Sequence, residues 1–106
     1  MVWNVELTLD ATREFEALPA DLRGRFLFIA RRLEHETPVN VGMPHVRPLG
    51  NKLWELRLKG KDGIARAVYF LATGQRVLVV RIFVKKTEKT PRSEIELALK
   101  RMEDAI

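Results

Sequence analysis

The chain has 106 residues, room for a single domain over residues 1–106, and its 46% hydrophobic and 31% charged residues are typical of a folded protein. It has no cysteine and only two histidines, which excludes disulfides and thiolate metal sites, so neither a metal nor a cofactor is predicted. No apolar run reaches membrane-spanning length and no secretory signal is recognisable, so we expect a cytoplasmic protein without a membrane partner.

The positive charge is concentrated in the middle of the chain. The net charge is +5 and the isoelectric point is near 10.0. Residues 44–92 contain 12 Lys/Arg against three Asp/Glu, whereas the segments on either side each have a net charge of −2. Such a segment favours a polyanionic partner, because each phosphate that is neutralised releases condensed counterions. Nucleic acid is therefore the first candidate partner.

The amino-terminal third predicts one strand and two helices. Alternation over residues 2–7 predicts a strand with one apolar face, and Asp10 is predicted to cap a helix that ends before Pro19. Residues 21–36 predict a second helix. Its apolar stripe is formed by Leu22, Phe26, Ile29 and Leu33. The two helices make an αα-hairpin, and the arginine-rich face of the second is expected to be solvated, with ribosomal RNA as an alternative contact.

The remainder predicts a loop, three strands and a last helix. Residues 37–52 hold three prolines and two glycines without periodicity, which indicates an ordered loop. Alternating or apolar segments then predict strands at 53–59, 64–72 and 76–84. Thr90 is predicted to cap the last helix, with Pro91 at its first position. The order β-α-α-β-β-β-α predicts an α+β domain in which helices pack on a small twisted antiparallel sheet.

Three short motifs carry a resemblance to a known family. They are Leu-Trp-Glu-Leu-Arg at 53–57, Arg-Ala-Val-Tyr at 66–69 and Phe-Val-Lys-Lys-Thr at 83–87. Leu-Gly at 49–50 precedes them, and Thr-Pro-x-x-Glu-Ile at 90–95 follows. In order and spacing this pattern resembles the HigB-like, phage-derived branch of the RelE/ParE toxin superfamily over about the whole chain.

The resemblance implies a toxin of a type II toxin-antitoxin pair. Its expected partners are a cognate helix-turn-helix antitoxin, with which it would form a hetero-oligomer on operator DNA, and mRNA on the ribosome. The expected activity is ribosome-dependent cleavage of mRNA, which would inhibit translation. Two alternatives stay open: a ParE-like poison of DNA gyrase, and a nucleic-acid-binding regulator without catalysis.

The basic residues suit metal-independent RNA cleavage. Attack by a 2′-hydroxyl needs a base, cations that hold the charge developing on the phosphate, and an acid for the leaving oxygen. Arginine donates to two phosphate oxygens at once, so Arg66, Arg57 and Arg81 are assigned to phosphate binding and transition-state stabilisation. Lys85 and Lys86 are catalytic candidates for proton transfer in this cation-rich run. The predicted substrate-binding residues are Lys59, His45 and Arg47.

The sequence departs from its relatives in one respect that matters for catalysis. HigB-like proteins often carry histidine near the position of Arg81, and some have a late catalytic histidine or tyrosine. Here no histidine follows His45 and no tyrosine follows Tyr69. The identity of the general acid and base is therefore open, with the imidazole of His45 as one candidate.

The same residues also have structural interpretations. The basic face can be a solvated surface or the landing site of an acidic antitoxin. Arg66 and Arg57 can be ion-pair partners of Glu55. Tyr69 and Trp54 are predicted to lie in the core, because each alternates in phase with apolar neighbours.

Overall fold

A computed structural model describes residues 3–36, 45–61, 63–85 and 89–106. Its elements are β1 (Asn4–Leu7), α1 (Leu9–Glu16), α2 (Ala20–Glu36), β2 (Val46–Gly50), β3 (Leu53–Lys59), β4 (Ile64–Ala72), β5 (Arg76–Lys85) and α3 (Arg92–Ala105). The predicted α+β class is confirmed, and every predicted helix and strand is present. None of the helices in these ranges has the length and apolarity needed to cross a membrane.

The strand β2 corrects the prediction of a loop over residues 37–52. It pairs antiparallel with β3, with Val46 opposite Leu56 and a register shift before Gly50. Pro48 is tolerated because β2 lies at the edge of the sheet, where one side of the strand needs no partner. Pairing with β3 thus overrides the low strand propensity of the local sequence. Residues 37–44 of the predicted loop lie outside the described residues.

The five strands form one sheet in the order β1-β5-β4-β3-β2. Its strands pair antiparallel except that β1 runs parallel to β5, a departure from the wholly antiparallel sheet that was predicted. The helices α1 and α2 cover one face of the sheet and α3 covers part of the other, each over its own hydrophobic cluster. As predicted, β5 is buried on both faces.

Two helix starts differ from the prediction. The hydroxyl of Thr8, rather than the carboxylate of Asp10, caps α1 by accepting a hydrogen bond from the Ala11 N–H at 3.1 Å. Asp10 lies in the first turn, where the helix dipole still favours a negative charge. Pro91 occupies the cap position of α3, and the Thr90 hydroxyl donates instead to Glu55. Thr90 therefore anchors the start of α3 to the sheet.

The turn between β3 and β4 is docked on the first turn of α2. A Cβ atom on Gly60 would lie 2.5 Å from Oδ2 of Asp21, so only glycine permits this approach without rearrangement. The backbone N–H of Lys61 donates to the same oxygen at 2.6 Å. The contact holds Lys59 and Lys61 close to α2.

Candidate nucleic-acid interface

The register of β3, β4 and β5 places the basic residues in rows on one face of the sheet. Residues directly opposite in antiparallel strands share a face. One row consists of Arg57, Arg66 and Phe83. The next consists of Lys59, Ile64 and Lys85. This is the face that carries α3, and these rows lie at the end of β3 next to the docked turn.

A pocket of about 360 Å³ is lined by residues of these two rows together with His45 and with Arg25 of α2. Its polar lining residues are Arg25, His45, Arg57, Lys59 and Arg66. Arg66 is buried, Arg57 is half-buried and Lys59 is exposed, so the positive charge is graded from the floor of the pocket to its mouth. Among the described residues that line it, none is acidic. We call this site the basic pocket.

A buried carboxylate orients the floor of the basic pocket. Oε1 of Glu55 lies 3.6 Å from Nε of Arg66, and both side chains are 3% exposed. The other carboxylate oxygen accepts the hydrogen bond from Thr90, while Nη1 of Arg66 donates to the Ala65 carbonyl at 3.0 Å. The structural interpretation of Arg66 as a partner of Glu55 is confirmed. Glu55 was not predicted as a site residue, although it shares a face of β3 with Arg57 and Lys59.

Arg81 is placed differently from the other predicted phosphate ligands. Its guanidinium donates two hydrogen bonds to Glu94 at 2.7 and 3.1 Å and one to Glu14 at 2.5 Å. The hydrogen bonds that Arg81 donates to Glu94 and then to Glu14 raise its pKa above its already high value, so the side chain stays charged. The structure does not bring Arg81 to the basic pocket. It instead links α1 and α3 across the sheet.

The same cluster closes part of the edge of β5. Beyond the end of β1, the Ile82 N–H donates to Oε1 of Glu14 at 3.0 Å, and Arg101 donates to the Val80 carbonyl at 2.9 Å. Arg101 also donates to both oxygens of Glu14, at 2.9 and 3.0 Å. Side chains from α1 and α3 therefore satisfy backbone groups that a neighbouring strand would otherwise bind.

The remaining predicted site residues fall in three places. His45 lines the basic pocket, and its carbonyl accepts the Arg57 N–H at 2.7 Å. Lys85 is in the row next to Arg66 but is only 5% exposed. Arg47 is exposed on β2 and lines a separate hollow beside Thr90. Lys86 lies outside the described residues.

The aromatic residues Tyr69 and Trp54 have the positions that were predicted for them. Tyr69 is 1% exposed, and burial raises the pKa of its hydroxyl, so its predicted place in the core is confirmed. Trp54 is partly buried against the same core cluster, also as predicted.

Arg25 was missed as a pocket residue, because helical periodicity places it off the apolar stripe of α2 without showing which strand it meets. The described residues contain no cluster of His, Asp and Glu side chains that could hold a metal ion.

Solved structures of RelE toxins share this fold. The chain matches Escherichia coli toxin RelE, an arginine-to-alanine double mutant in the free state, with a TM-score of 0.63 and 18% identity over 96% of this chain and 99% of that chain. For the archaeal RelE-RelB complex of Pyrococcus horikoshii OT3 the TM-score is 0.58 and the identity is 22%, over 79% of this chain and 96% of that chain. For the toxin-antitoxin complex RelBE2 of Mycobacterium tuberculosis the TM-score is 0.58 and the identity is 18%, over 80% of this chain and 100% of that chain. The architecture is thus that of the RelE-like toxins.

The family of the chain is shown by a match between its sequence and a family model. The model of the family described as "Phage derived protein Gp49-like" matches residues 13–103, which include both the basic pocket and the Arg81 cluster. The chain therefore belongs to the Gp49-like phage-derived family. Curated protein sequences give no significant match. The resemblance inferred from the three sequence motifs is confirmed at the level of family and fold.

Proposed function

We propose that this protein is the toxin of a type II toxin-antitoxin pair and that it cleaves mRNA on the ribosome without a metal ion. The observation that carries the proposal is the basic pocket, in which three arginines, a lysine and a histidine converge beside a buried carboxylate that orients one of them. The RelE-like fold and the Gp49-like family support it. The solved RelE-RelB complex supports an antitoxin as the partner, and the antitoxin that we propose carries a helix-turn-helix domain.

The proposed reaction is an internal displacement at phosphorus. The 2′-oxygen forms a bond to phosphorus and the bond from phosphorus to the 5′-oxygen breaks, which leaves a cyclic phosphate on one product and a 5′-hydroxyl on the other. A base takes the proton of the 2′-hydroxyl, and an acid returns a proton to the 5′-oxygen. The charge that develops on the non-bridging oxygens needs fixed cations close by.

The pocket residues divide these tasks. Arg66, fixed by Glu55, and the half-buried Arg57 bind the non-bridging oxygens. His45 is the proton-transfer group in the pocket, since its imidazole ring can both accept and donate a proton. Lys59 binds the substrate backbone at the mouth. Lys85 and Lys86 stay candidates for proton transfer, and Arg47 for a distant part of the RNA.

Arg81 differs from Arg57 and Arg66 because two carboxylates, those of Glu14 and Glu94, hold it. We assign it the role of keeping α1 and α3 on the sheet. A direct role in phosphate binding would require that Glu14 and Glu94 release it. The structural role predicts a loss of stability in an Arg81 variant, and the phosphate-binding role predicts a loss of cleavage in a folded one.

Primer extension on translated mRNA after induction of the protein tests the proposal. The wild type should arrest growth and produce codon-phased cuts, and co-expression of its cognate antitoxin should prevent both. Arg57→Gln should lower the cleavage rate by about a hundredfold or more, the usual effect of removing one fixed donor to a developing oxyanion. Arg76→Gln is the matched control, because Arg76 is a strand arginine that pairs with the exposed Glu6 away from the pocket.

The two histidines give a second matched pair. His45→Gln should lose cleavage, whereas His35→Gln, at the exposed end of α2, should keep it. Growth arrest without codon-phased cuts, accompanied by a DNA-damage response, would instead assign the protein to the gyrase poisons. Expression without growth arrest would favour the non-catalytic regulator.

A further inference from the structure

A second basic surface lies next to the basic pocket, between α2 and the turn that follows β3. It is an open hollow of about 530 Å³. An aromatic side chain, Phe28, forms one wall and is 55% exposed. An exposed aromatic ring beside cations offers a flat face on which a ligand can stack.

The floor of the hollow is a glycine in the middle of a helix. Gly24 lies one turn before Phe28 on α2, and a Cβ atom added to it would contact nothing within 4 Å. Glycine lowers helix stability relative to alanine at such a position, and no close packing here demands it. Its effect is to leave the space in front of the Phe28 ring open.

The cations around the hollow are shared with the basic pocket. The guanidinium carbon of Arg25 lies 5.9 Å from the centre of the Phe28 ring, and both Arg25 and Lys59 line the two cavities. Lys61 adds a third positive charge. The acidic residue in the lining, Asp21, is occupied by the hydrogen bond from the Lys61 backbone. The basic surface therefore continues from the pocket to the exposed ring.

We propose that this hollow binds one unpaired base of single-stranded RNA, which stacks on Phe28 beside Arg25, while the flanking phosphates contact Lys59 and Lys61. The inference rests on the proposed RNA cleavage, and it adds the path by which the RNA strand leaves the basic pocket. A stacking aromatic together with backbone-binding cations is the combination by which proteins hold single strands. An acidic peptide would satisfy the cations but would leave the flat ring and the space over Gly24 without a matching group.

Binding of a short oligoribonucleotide tests the proposal. The probe is uncleavable because its 2′-hydroxyls are methylated, and it carries one 2-aminopurine, whose fluorescence is quenched by stacking. Phe28→Ala should weaken binding about tenfold and remove the quenching. Leu27→Ala is the matched control: Leu27 is the neighbouring residue and is 54% exposed, but it does not line the hollow. It should bind as the wild type does.

Gly24→Gln tests the hollow without weakening the fold. The longer side chain fills the space before the ring, so binding should fall as it does for Phe28→Ala. Because glutamine is a better helix former than glycine, the melting temperature should rise at the same time. A loss of binding in a more stable protein has no explanation in misfolding. Lys61→Gln should reduce the salt dependence of binding by about one phosphate contact, whereas Phe28→Ala should leave it unchanged.

Equal binding by the Phe28→Ala and Leu27→Ala variants would overturn the inference, as would a wild type that does not bind the probe. So would an acidic, leucine-containing peptide that binds in a Phe28-dependent manner when the RNA does not. The proposed activity is measured separately as mRNA cutting in a translating extract. If the wild type cuts mRNA but Phe28→Ala behaves like Leu27→Ala, the cleavage function stands and the stacking site fails.

Discussion

The carboxylate of Glu55 and the guanidinium of Arg66 lie 3.6 Å apart inside the sheet, each only 3% exposed. Two charges of this kind are removed from water at a large cost in free energy, which their mutual attraction offsets only if the geometry is retained. The pair thus links the stability of the domain to the orientation of an arginine at the floor of the basic pocket.

Removing one member of this pair should destabilise the protein more than removing both. Glu55→Gln should lower the free energy of unfolding by about 3 kcal/mol, because Arg66 stays buried without the carboxylate. The double variant Glu55→Gln/Arg66→Met should recover most of that loss. Urea unfolding of the two single variants and the double variant measures the coupling; additive losses would show that the two residues do not act as a pair.

Arg81 should behave as a structural residue. Arg81→Gln and Glu94→Gln should each lower the free energy of unfolding by about 1 kcal/mol, with less than additive effects when combined, since both break the same partly buried ion pair. Cleavage by Arg81→Gln should fall only as far as the folded fraction does. A large loss of cleavage in a fully folded Arg81→Gln protein would instead place its guanidinium on the substrate.

Alkaline pH should destabilise the protein through Tyr69. Burial raises the pKa of this hydroxyl above its value of about 10 in the unfolded chain. The contribution of the neutral, buried hydroxyl to the free energy of unfolding is therefore fully present below about pH 10 and is lost as the pH rises further. Tyr69 is the one tyrosine of the sequence, so tyrosinate absorbance reports on it alone. The absorbance should rise only together with unfolding.

Tyr69→Phe is the companion variant. Within the described residues the Tyr69 hydroxyl has no hydrogen-bond partner, so its removal should leave the free energy of unfolding at neutral pH equal or raise it by about 1 kcal/mol. The loss of stability above about pH 10 should also become smaller. A clear loss of stability at neutral pH would mean that the hydroxyl is satisfied, contrary to the geometry.

Gly60→Ala should destabilise the protein, whereas Gly63→Ala in the same turn should not. A Cβ atom at residue 60 would lie 2.5 Å from Oδ2 of Asp21 and 2.8 Å from Cδ2 of Leu22, so these side chains must move, and loss of the hydrogen bond from the Lys61 N–H to Asp21 should cost about 1 kcal/mol of unfolding free energy. Gly63→Ala meets nothing within 4 Å and should have little effect. Thermal unfolding of both variants checks the difference, and equal melting temperatures would contradict the docked turn.

Elements with strong periodicity were predictable from the sequence. The alternation of β3 and the apolar stripe of α2 gave bounds that agree with the structure to within one residue. The edge strand β2 was missed because Pro48 and Gly50 interrupt any period, and the information that makes it a strand resides in β3. Local pattern cannot report a partner that lies elsewhere in the chain.

The site residues likewise fall into those that a local pattern predicts and those whose partners are distant in the sequence. Alternation indicated that Arg57 and Lys59 share a face, which needs only the two-residue period of a strand. The carboxylates that hold Arg81 come from Glu94 and Glu14, 13 and 67 residues away on different helices. Such pairing depends on how the helices cross the sheet, so the sequence could place the charge of Arg81 but not its partner.

The side chains that close the edge of β5 come from opposite ends of the chain, since Glu14 and Arg101 are 87 residues apart. When α3 is not folded onto the sheet, the Val80 carbonyl lacks its hydrogen bond from Arg101, and this part of the edge is only half covered. An edge with open backbone groups is a template for pairing with other chains. Molecules in which α3 has detached from the sheet should therefore aggregate more readily than the native protein.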